Sequence, residues 1–173
     1  MRAKFIKFLK FVFITSLSFG AGYVGMRLMG QDWQQWYAAL AKPEFAPPNV
    51  VFGYVWSTLY FMIAIAAFLV WMKSSNLSLL AVRGLARVRH KQVKIALFLF
   101  VVQLALNAVW PWFFFGQRDL FAALVVIVLM LFAIIVNTIL FYRVSHMAGY
   151  LFLPYVAWVG FAAYLNYTIL ILN

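Results

Sequence analysis

The chain has 173 residues, of which 68% are hydrophobic and only 10% are charged, and its formal net charge is +11. Ordinary soluble domains are about 45–50% apolar and about 25% charged, so a fold of this length cannot bury so much apolar surface away from water. The composition therefore excludes a water-soluble enzyme and a disordered chain, and it indicates a membrane protein. With three acidic residues, two histidines and no cysteine, neither paired acid–base carboxylates nor a metal site is expected.

The first predicted membrane helix spans residues 5–28. Its uncharged part, Phe11 to Met26, is short, but Lys7, Lys10 and Arg27 can extend toward the headgroups at its two ends. The basic start also fits a cleaved signal peptide, which stays open as the alternative. Small residues favour close packing of this helix inside one bundle over dimerisation through it; they form the pairs Ser18–Gly22 and Ala21–Gly25.

The connection after this helix, from Gly30 to Val50, is rich in proline, tryptophan and acidic residues. Asp32 can cap a short helix over 33–41, which Lys42-Pro43 would end, because the residue before a proline disfavours helix. We expect a short helical, proline-rich loop that covers the mouth of the bundle. Tryptophan and tyrosine also gather at membrane interfaces without any ligand, which is the alternative interpretation.

Four further uncharged stretches are each long enough to cross a hydrocarbon core of about 30 Å, which takes about 20 residues. The sequence thus predicts an all-α membrane protein, a single domain over 1–173 built as a five-transmembrane-helix bundle. The four later helices are expected near 50–72, 93–115, 119–142 and 148–171.

Basic residues are divided unevenly between the two sides of such a bundle. Eleven lie on the side of the N-terminus, and three, Arg27, Lys42 and Arg118, lie on the other. Basic loops stay in the cytoplasm, so the N-terminus is predicted to be cytoplasmic and the C-terminus to lie outside. The basic run from Arg83 to Lys91 is interpreted as a topology determinant that touches anionic lipid, rather than as a nucleic-acid site.

Polar and aromatic residues share one face on three of the predicted spans. On the third span, Gln103, Asn107, Trp110 and Phe114 fall within an arc of roughly 60° at about 100° per residue. The second and fifth spans carry aromatic faces: Phe52, Trp56 and Tyr60 on one, Pro154, Trp158, Phe161, Ala162 and Leu165, with Asn166 alongside, on the other. Spacing alone favours a polar clamp between helices with aromatic packing; the alternative is a pocket for a large, flat, mostly apolar molecule.

Four motifs in this order carry a family resemblance over nearly the whole chain. They are Trp36-Tyr37-x-x-Leu-x-Lys-Pro-x-Phe-x-Pro-Pro, Val51-Phe52-x-x-x-Trp56-x-x-Leu-Tyr60, Gln103-Leu-x-Leu-Asn107-x-x-Trp110 and Pro154-Tyr-x-x-Trp158-x-x-Phe-Ala-x-Tyr-Leu-Asn166. Together with the five spans they resemble the translocator protein (TspO/MBR) family, also called tryptophan-rich sensory proteins or peripheral-type benzodiazepine receptors.

The resemblance implies a five-helix bundle that binds tetrapyrroles such as protoporphyrin IX and haem, with no required cofactor. It implies a pocket beneath the first loop, among the first, second, third and fifth helices, and a homodimer with the third helix at its interface. The positions that match the family's ligand contacts are Tyr37, Pro48, Trp56, Asn107, Trp110 and Trp158. The aromatic and polar faces extend this candidate set with Phe52, Tyr60, Gln103, Phe114, Phe161 and Ala162.

In such a pocket the amides of Gln103 and Asn107 would donate hydrogen bonds to a porphyrin, and Lys42 or Arg27 would meet its carboxylates. Trp56 and Trp158 match tryptophans that are linked in some bacterial relatives to light-dependent porphyrin breakdown. The functional alternatives are therefore a tetrapyrrole receptor or sensor, a light-dependent porphyrin-degrading enzyme with these two tryptophans as its catalytic candidates, a porphyrin or sterol transporter, and a purely structural subunit.

Sterol-binding animal members carry a basic residue in a C-terminal pattern, and no basic residue follows Arg143 here. Its absence lowers the expectation of sterol binding and favours a bacterial-type member. We expect the bacterial cytoplasmic membrane, with the C-terminus periplasmic, although some bacterial relatives lie in an outer membrane.

Overall fold

A computed structural model describes the backbone of residues 2–77 and 83–173 and the side chains of residues 4–73 and 91–173. In these ranges the chain forms helices and no strand: α1 (Arg2–Arg27), α2 (Trp33–Ala39), α3 (Asn49–Leu77), α4 (Arg83–Pro111), α5 (Leu120–Val144) and α6 (His146–Leu172), with a π-helical turn at Trp112–Gly116 that continues α4. All but α2 are long and apolar enough to cross a membrane. The predicted all-α, five-span membrane fold with a short helix in its first loop is confirmed.

Two helix ends lie well beyond the predicted bounds. The second span is predicted to end near residue 72, whereas α3 continues to Leu77. The third span is predicted to start near residue 93, whereas α4 begins at Arg83. Hydropathy marks only the part of a helix inside the bilayer, and lysine, arginine, alanine and leucine continue a helix readily beyond it. The predicted basic topology determinant, Arg83 to Lys91, forms the start of α4, and its side chains from Arg83 to His90 lie outside the described residues.

The expected cap of α2 is wrong. Asp32 occupies the N-cap position, but its side chain makes no capping hydrogen bond. Its carboxylate instead accepts a hydrogen bond from the Arg118 guanidinium. The helix also ends at Ala39, two residues before its predicted end, because Leu40 is already extended.

The five long helices close into a ring in the order α1, α3, α6, α5, α4, and α3 also touches α4 across the interior. The main core fills the half of the ring near the N-terminus, where Phe141 packs between Phe100 and Phe152, with ring centroids 6.1 and 4.8 Å away. A second, smaller cluster lies at the other end, beneath α2, and includes Tyr37 and Phe114. The end beneath α2 is therefore less completely filled by the long helices themselves.

The small-residue face of α1 packs inside this bundle, as predicted. Ser18 is fully buried, and Gly22 lies against Tyr60 of α3: a Cβ placed at Gly22 would lie 2.8 Å from Tyr60 Cζ. Tyr60 cannot move aside freely, since its hydroxyl donates to Asn107 Oδ1 over 2.5 Å. The close approach of α1 to α3 therefore requires glycine at position 22.

We predict that Gly22→Ala lowers the free energy of unfolding by about 1–3 kcal/mol, the usual cost of overpacking a filled interior. Thermal unfolding in detergent, followed by helical circular dichroism, measures the change. Gly20→Ala is the matched control on the same helix, because a Cβ at Gly20 meets no atom within 4 Å and alanine favours helix over glycine. Equal melting temperatures for the two variants would contradict the packing argument.

Candidate ligand cavity

A partly open cavity of about 130 Å³ lies at the end of the bundle beneath α2. At this end α1, α4 and α6 finish and α3 and α5 begin. Six of the residues predicted as ligand contacts line the cavity: Tyr37, Phe52, Trp56, Trp110, Phe114 and Ala162. Seven other lining residues are absent from the predicted set: Met29, Trp33, Asn49, Phe115, Leu165, Asn166 and Ile169.

Three predicted contacts lie deeper than the cavity and bond one another. Tyr60 Oη donates to Asn107 Oδ1 over 2.5 Å, and Asn107 Nδ2 donates to Tyr155 Oη over 3.3 Å. Tyr155 Oη in turn donates to Gln103 Oε1 over 2.7 Å. We call these four residues the polar clamp; it joins α3, α4 and α6, and all its side chains are buried. Both ends of the Asn107 amide are used here, so this expected donor to a ligand serves helix packing instead. Gln103 accepts through Oε1, and its Nε2 is buried with no hydrogen-bond partner among the described residues.

Trp158 and Phe161 lie outside the cavity, in a groove of about 530 Å³ on the outer surface between α3 and α6. We call this space the outer groove. The ring of Phe52 lines the cavity and contacts Trp158, with the two ring centroids 5.7 Å apart. The structure therefore does not place Trp56 and Trp158 in one common space, because Trp56 lines the cavity and Trp158 lines the outer groove. Pro48, the other predicted contact, precedes α3 and accepts a hydrogen bond from the Val51 amide.

Two of the polar side chains that line the cavity are paired with protein. Trp110 Nε1 donates to Asn166 Oδ1 over 3.1 Å, and Asn166 Nδ2 donates to the Leu120 carbonyl over 3.1 Å. These bonds hold the Trp110 indole beside the Phe114 ring, at a centroid distance of 4.9 Å. The cavity therefore offers mainly aromatic surface, which suits an apolar, planar ligand.

A π-helical turn brings two consecutive phenylalanines, Phe114 and Phe115, to the cavity. Pro111 has no N–H, so the preceding turn of α4 loses a backbone bond, and the chain widens until Gln117 N bonds to Trp112 O over 2.7 Å. In a regular helix neighbouring side chains point about 100° apart; the wider turn reduces this separation for the lining residues. Pro111 at the end of an apolar span was the sequence signal for this change.

The segment above the cavity, residues 32–48 with α2 near its start, is held by polar contacts; we call it the lid. Arg118 pairs with Asp32 and lies over the Trp36 ring. At the far end of the lid, Ala41 N donates to Asn173 Oδ1 and Asn173 Nδ2 donates to Ala41 O, each over 3.0 Å. The lid is thus joined to both the α4–α5 turn and the end of α6.

Lys42 has a different role from the expected one of meeting a ligand's carboxylates. Its Nζ donates to the carbonyl oxygens of Tyr37 and Leu40 over 2.7 and 2.9 Å, and it lies 4.9 Å from the centre of the Tyr37 ring. The charge therefore satisfies the last carbonyls of α2. Tyr37 itself packs on Phe114 and Phe115, and burial raises the pKa of its hydroxyl.

The hydrogen bond from Arg118 holds the pKa of Asp32 below its ordinary value of 3.8. Because the pKa of Asp32 is lower in the folded protein, the pair stabilises the lid fully at pH values above the ordinary pKa. This stabilisation is lost as the pH falls through the lower pKa of the folded state. We therefore predict that the lid loosens only in acid below about pH 3.8, and that Asp32→Asn loosens it already at neutral pH.

An environment-sensitive dye on Gln34→Cys measures this, since Gln34 is exposed on α2 and the chain has no cysteine. The matched control is Asp119→Asn, whose native carboxylate accepts from Ala122 N as the cap of α5. A dye response of the same size in both variants would refute the assignment of the Asp32–Arg118 pair to lid closure.

Comparison with known proteins gives a consistent match along the chain. Residues 13–172 match the sequence pattern of the TspO/MBR family. Translocator protein from Homo sapiens is 37% identical over 147 residues, 85% of this chain and 80% of that protein. Tryptophan-rich protein TspO from Archaeoglobus fulgidus is 36% identical over 152 residues, 88% of this chain and 89% of that protein. Protein CrtK from Rhodobacter capsulatus is 37% identical over 141 residues, 80% of this chain and 78% of that protein.

Proposed function

This multi-pass membrane chain belongs to the TspO/MBR family, and from that premise we propose that it is a receptor that binds tetrapyrroles, such as protoporphyrin IX or haem, beneath the lid. The observation that carries the proposal is the cavity lined by rings from three elements, Tyr37 on α2, Phe52 and Trp56 on α3, and Trp110 and Phe114 on α4 and its π-helical turn. Planar apolar rings stack favourably on such walls.

The cavity volume sets a condition on this binding. Sites for drug-sized ligands measure about 300–1,000 Å³, whereas the cavity measures about 130 Å³, close to the roughly 150 Å³ of an engineered cavity that holds one benzene. A macrocycle must therefore enlarge the cavity when it binds. Each stacked ring contributes on the order of 1 kcal/mol beyond the area it buries, which supports micromolar affinity.

Trp56→Phe is the sharpest test of the proposed site. Trp56 lines the cavity and stacks on Tyr60 with centroids 5.5 Å apart, so the smaller ring removes stacking surface from the ligand. We expect protoporphyrin to bind about five-fold more weakly, the equivalent of about 1 kcal/mol, in a titration that follows quenching of the remaining tryptophans.

The control is Trp71→Phe on the same helix. Trp71 lies at the opposite end of the bundle, against Phe13 and beneath Lys10, and its replacement should leave the affinity unchanged. Equal affinities for wild type and both variants would argue against ligand stacking on Trp56, and the absence of any saturable quenching in the wild type would remove the proposal itself.

We further propose that the protein lies in a bacterial cytoplasmic membrane with the lid on the periplasmic side. The end of the bundle opposite the lid comprises the N-terminus and the α3–α4 and α5–α6 connections. This end carries eleven basic residues and no acidic residue. Such an excess of positive charge is retained in the cytoplasm.

Single cysteines report this orientation, since the chain has none of its own. In spheroplasts we expect a membrane-impermeant maleimide to label Gln34→Cys on the lid and to leave Lys7→Cys, at the exposed start of α1, unlabelled until the membrane is opened. Labelling of Lys7→Cys alone in intact spheroplasts would invert the proposed topology.

A further inference from the structure

The cavity and the outer groove are neighbours, since an aromatic side chain of one contacts an aromatic side chain of the other. Phe52 lines the cavity, Trp158 lines the groove, and their ring centroids are 5.7 Å apart. We propose that a planar ligand enters from the bilayer, between α3 and α6, by displacement of Phe52, and that the bound ligand occupies both spaces. This inference rests on the proposed function and names the route and the extent of the same site.

The sizes of the two spaces support a joint site. The cavity alone, about 130 Å³, is too small for a macrocycle, and the groove adds about 530 Å³ beside Trp158, the ring that Phe52 contacts. Together they reach the range of about 300–1,000 Å³ that is usual for sites of this kind. Displacing one half-buried ring thus provides the room that the cavity lacks, without a change in the packing of the five long helices.

The alternative route, through the lid, requires more bonds to break. Opening it from water separates the Asp32–Arg118 pair and the two hydrogen bonds between Ala41 and Asn173. It also withdraws the buried Tyr37 ring from Phe114. A side-chain rotation is a fast, local motion, whereas loop opening is collective and slower.

Among the side chains that the structure describes, no comparable polar contact joins α3 to α6 at the groove. Thr58, which lines the groove, donates its hydroxyl to Tyr54 O of its own helix over 2.9 Å. Trp158 Nε1 is buried and has no hydrogen-bond partner among the described residues. An unpaired N–H in an apolar site costs free energy, and a ligand with an acceptor, such as a pyrrolenine nitrogen or a carboxylate, would satisfy it.

Blocking the groove tests the route. A bulky maleimide is attached to Thr58→Cys, and the association rate of protoporphyrin is measured by stopped-flow quenching in nanodiscs. We expect the label to slow association at least about five-fold, an effect on the encounter step. The matched control is labelled Ser57→Cys, which is the adjacent exposed residue of α3, has an equivalent hydroxyl bond to Gly53 O over 2.8 Å, and lines neither space.

The lid provides the second arm of the experiment. Asp32→Asn loosens the lid without touching the groove, so entry from the bilayer predicts an unchanged association rate, whereas entry from water predicts a faster one. An unaltered rate in labelled Thr58→Cys, equal slowing in both labelled variants, or acceleration in Asp32→Asn would each overturn the proposed route while leaving binding beneath the lid intact. Absence of saturable protoporphyrin binding in the unlabelled protein would overturn both the route and the proposed function.

Discussion

The need to satisfy polar groups inside the hydrocarbon layer shapes this molecule. No water is present at that depth to bond an exposed amide or hydroxyl, so the side chains of Tyr60, Gln103, Asn107 and Tyr155 bond one another. The polar clamp fixes α3, α4 and α6 side by side at mid-depth. Above it, the same three helices line the cavity with mainly apolar side chains, which are aromatic on α3 and α4 and aliphatic on α6, instead of closing on one another.

Proline and glycine determine the shape of the cavity end. Pro111 interrupts the backbone bonds of α4, and the π-helical turn that follows directs both Phe114 and Phe115 inward. Gly116 allows the end of α1 to come close to this turn, since a Cβ there would lie 2.6 Å from the Leu28 carbonyl oxygen. The aromatic walls of the cavity therefore depend on Pro111 and Gly116, which carry no aromatic or polar side chain themselves.

Charge is separated along the bundle axis. At the cavity end, Arg27, Lys42 and Arg118 are balanced by the three acidic residues, while the other end carries the whole net charge of +11. At the cavity end the charges serve the protein itself: Arg118 pairs with Asp32, Asp119 caps α5 and Lys42 binds carbonyl oxygens of α2. The two ends therefore differ: one carries the excess positive charge, and at the other the charged side chains make polar contacts within the protein.

The sequence by itself determined the membrane class, the number of spans, the short helix in the first loop and the inward faces of three helices, because apolar length and helical periodicity are local properties of the chain. It also identified Tyr37, Trp56 and Trp110 as part of one region. Only the tertiary structure decided which polar residues of a common stripe face a cavity and which bond a neighbouring helix, as Asn107 does. It likewise placed Trp56 and Trp158 in different spaces, and it paired Asp32 with Arg118 instead of with the first turn of α2. These outcomes depend on distances between residues that are far apart in the chain, and a pattern along one helix does not contain those distances.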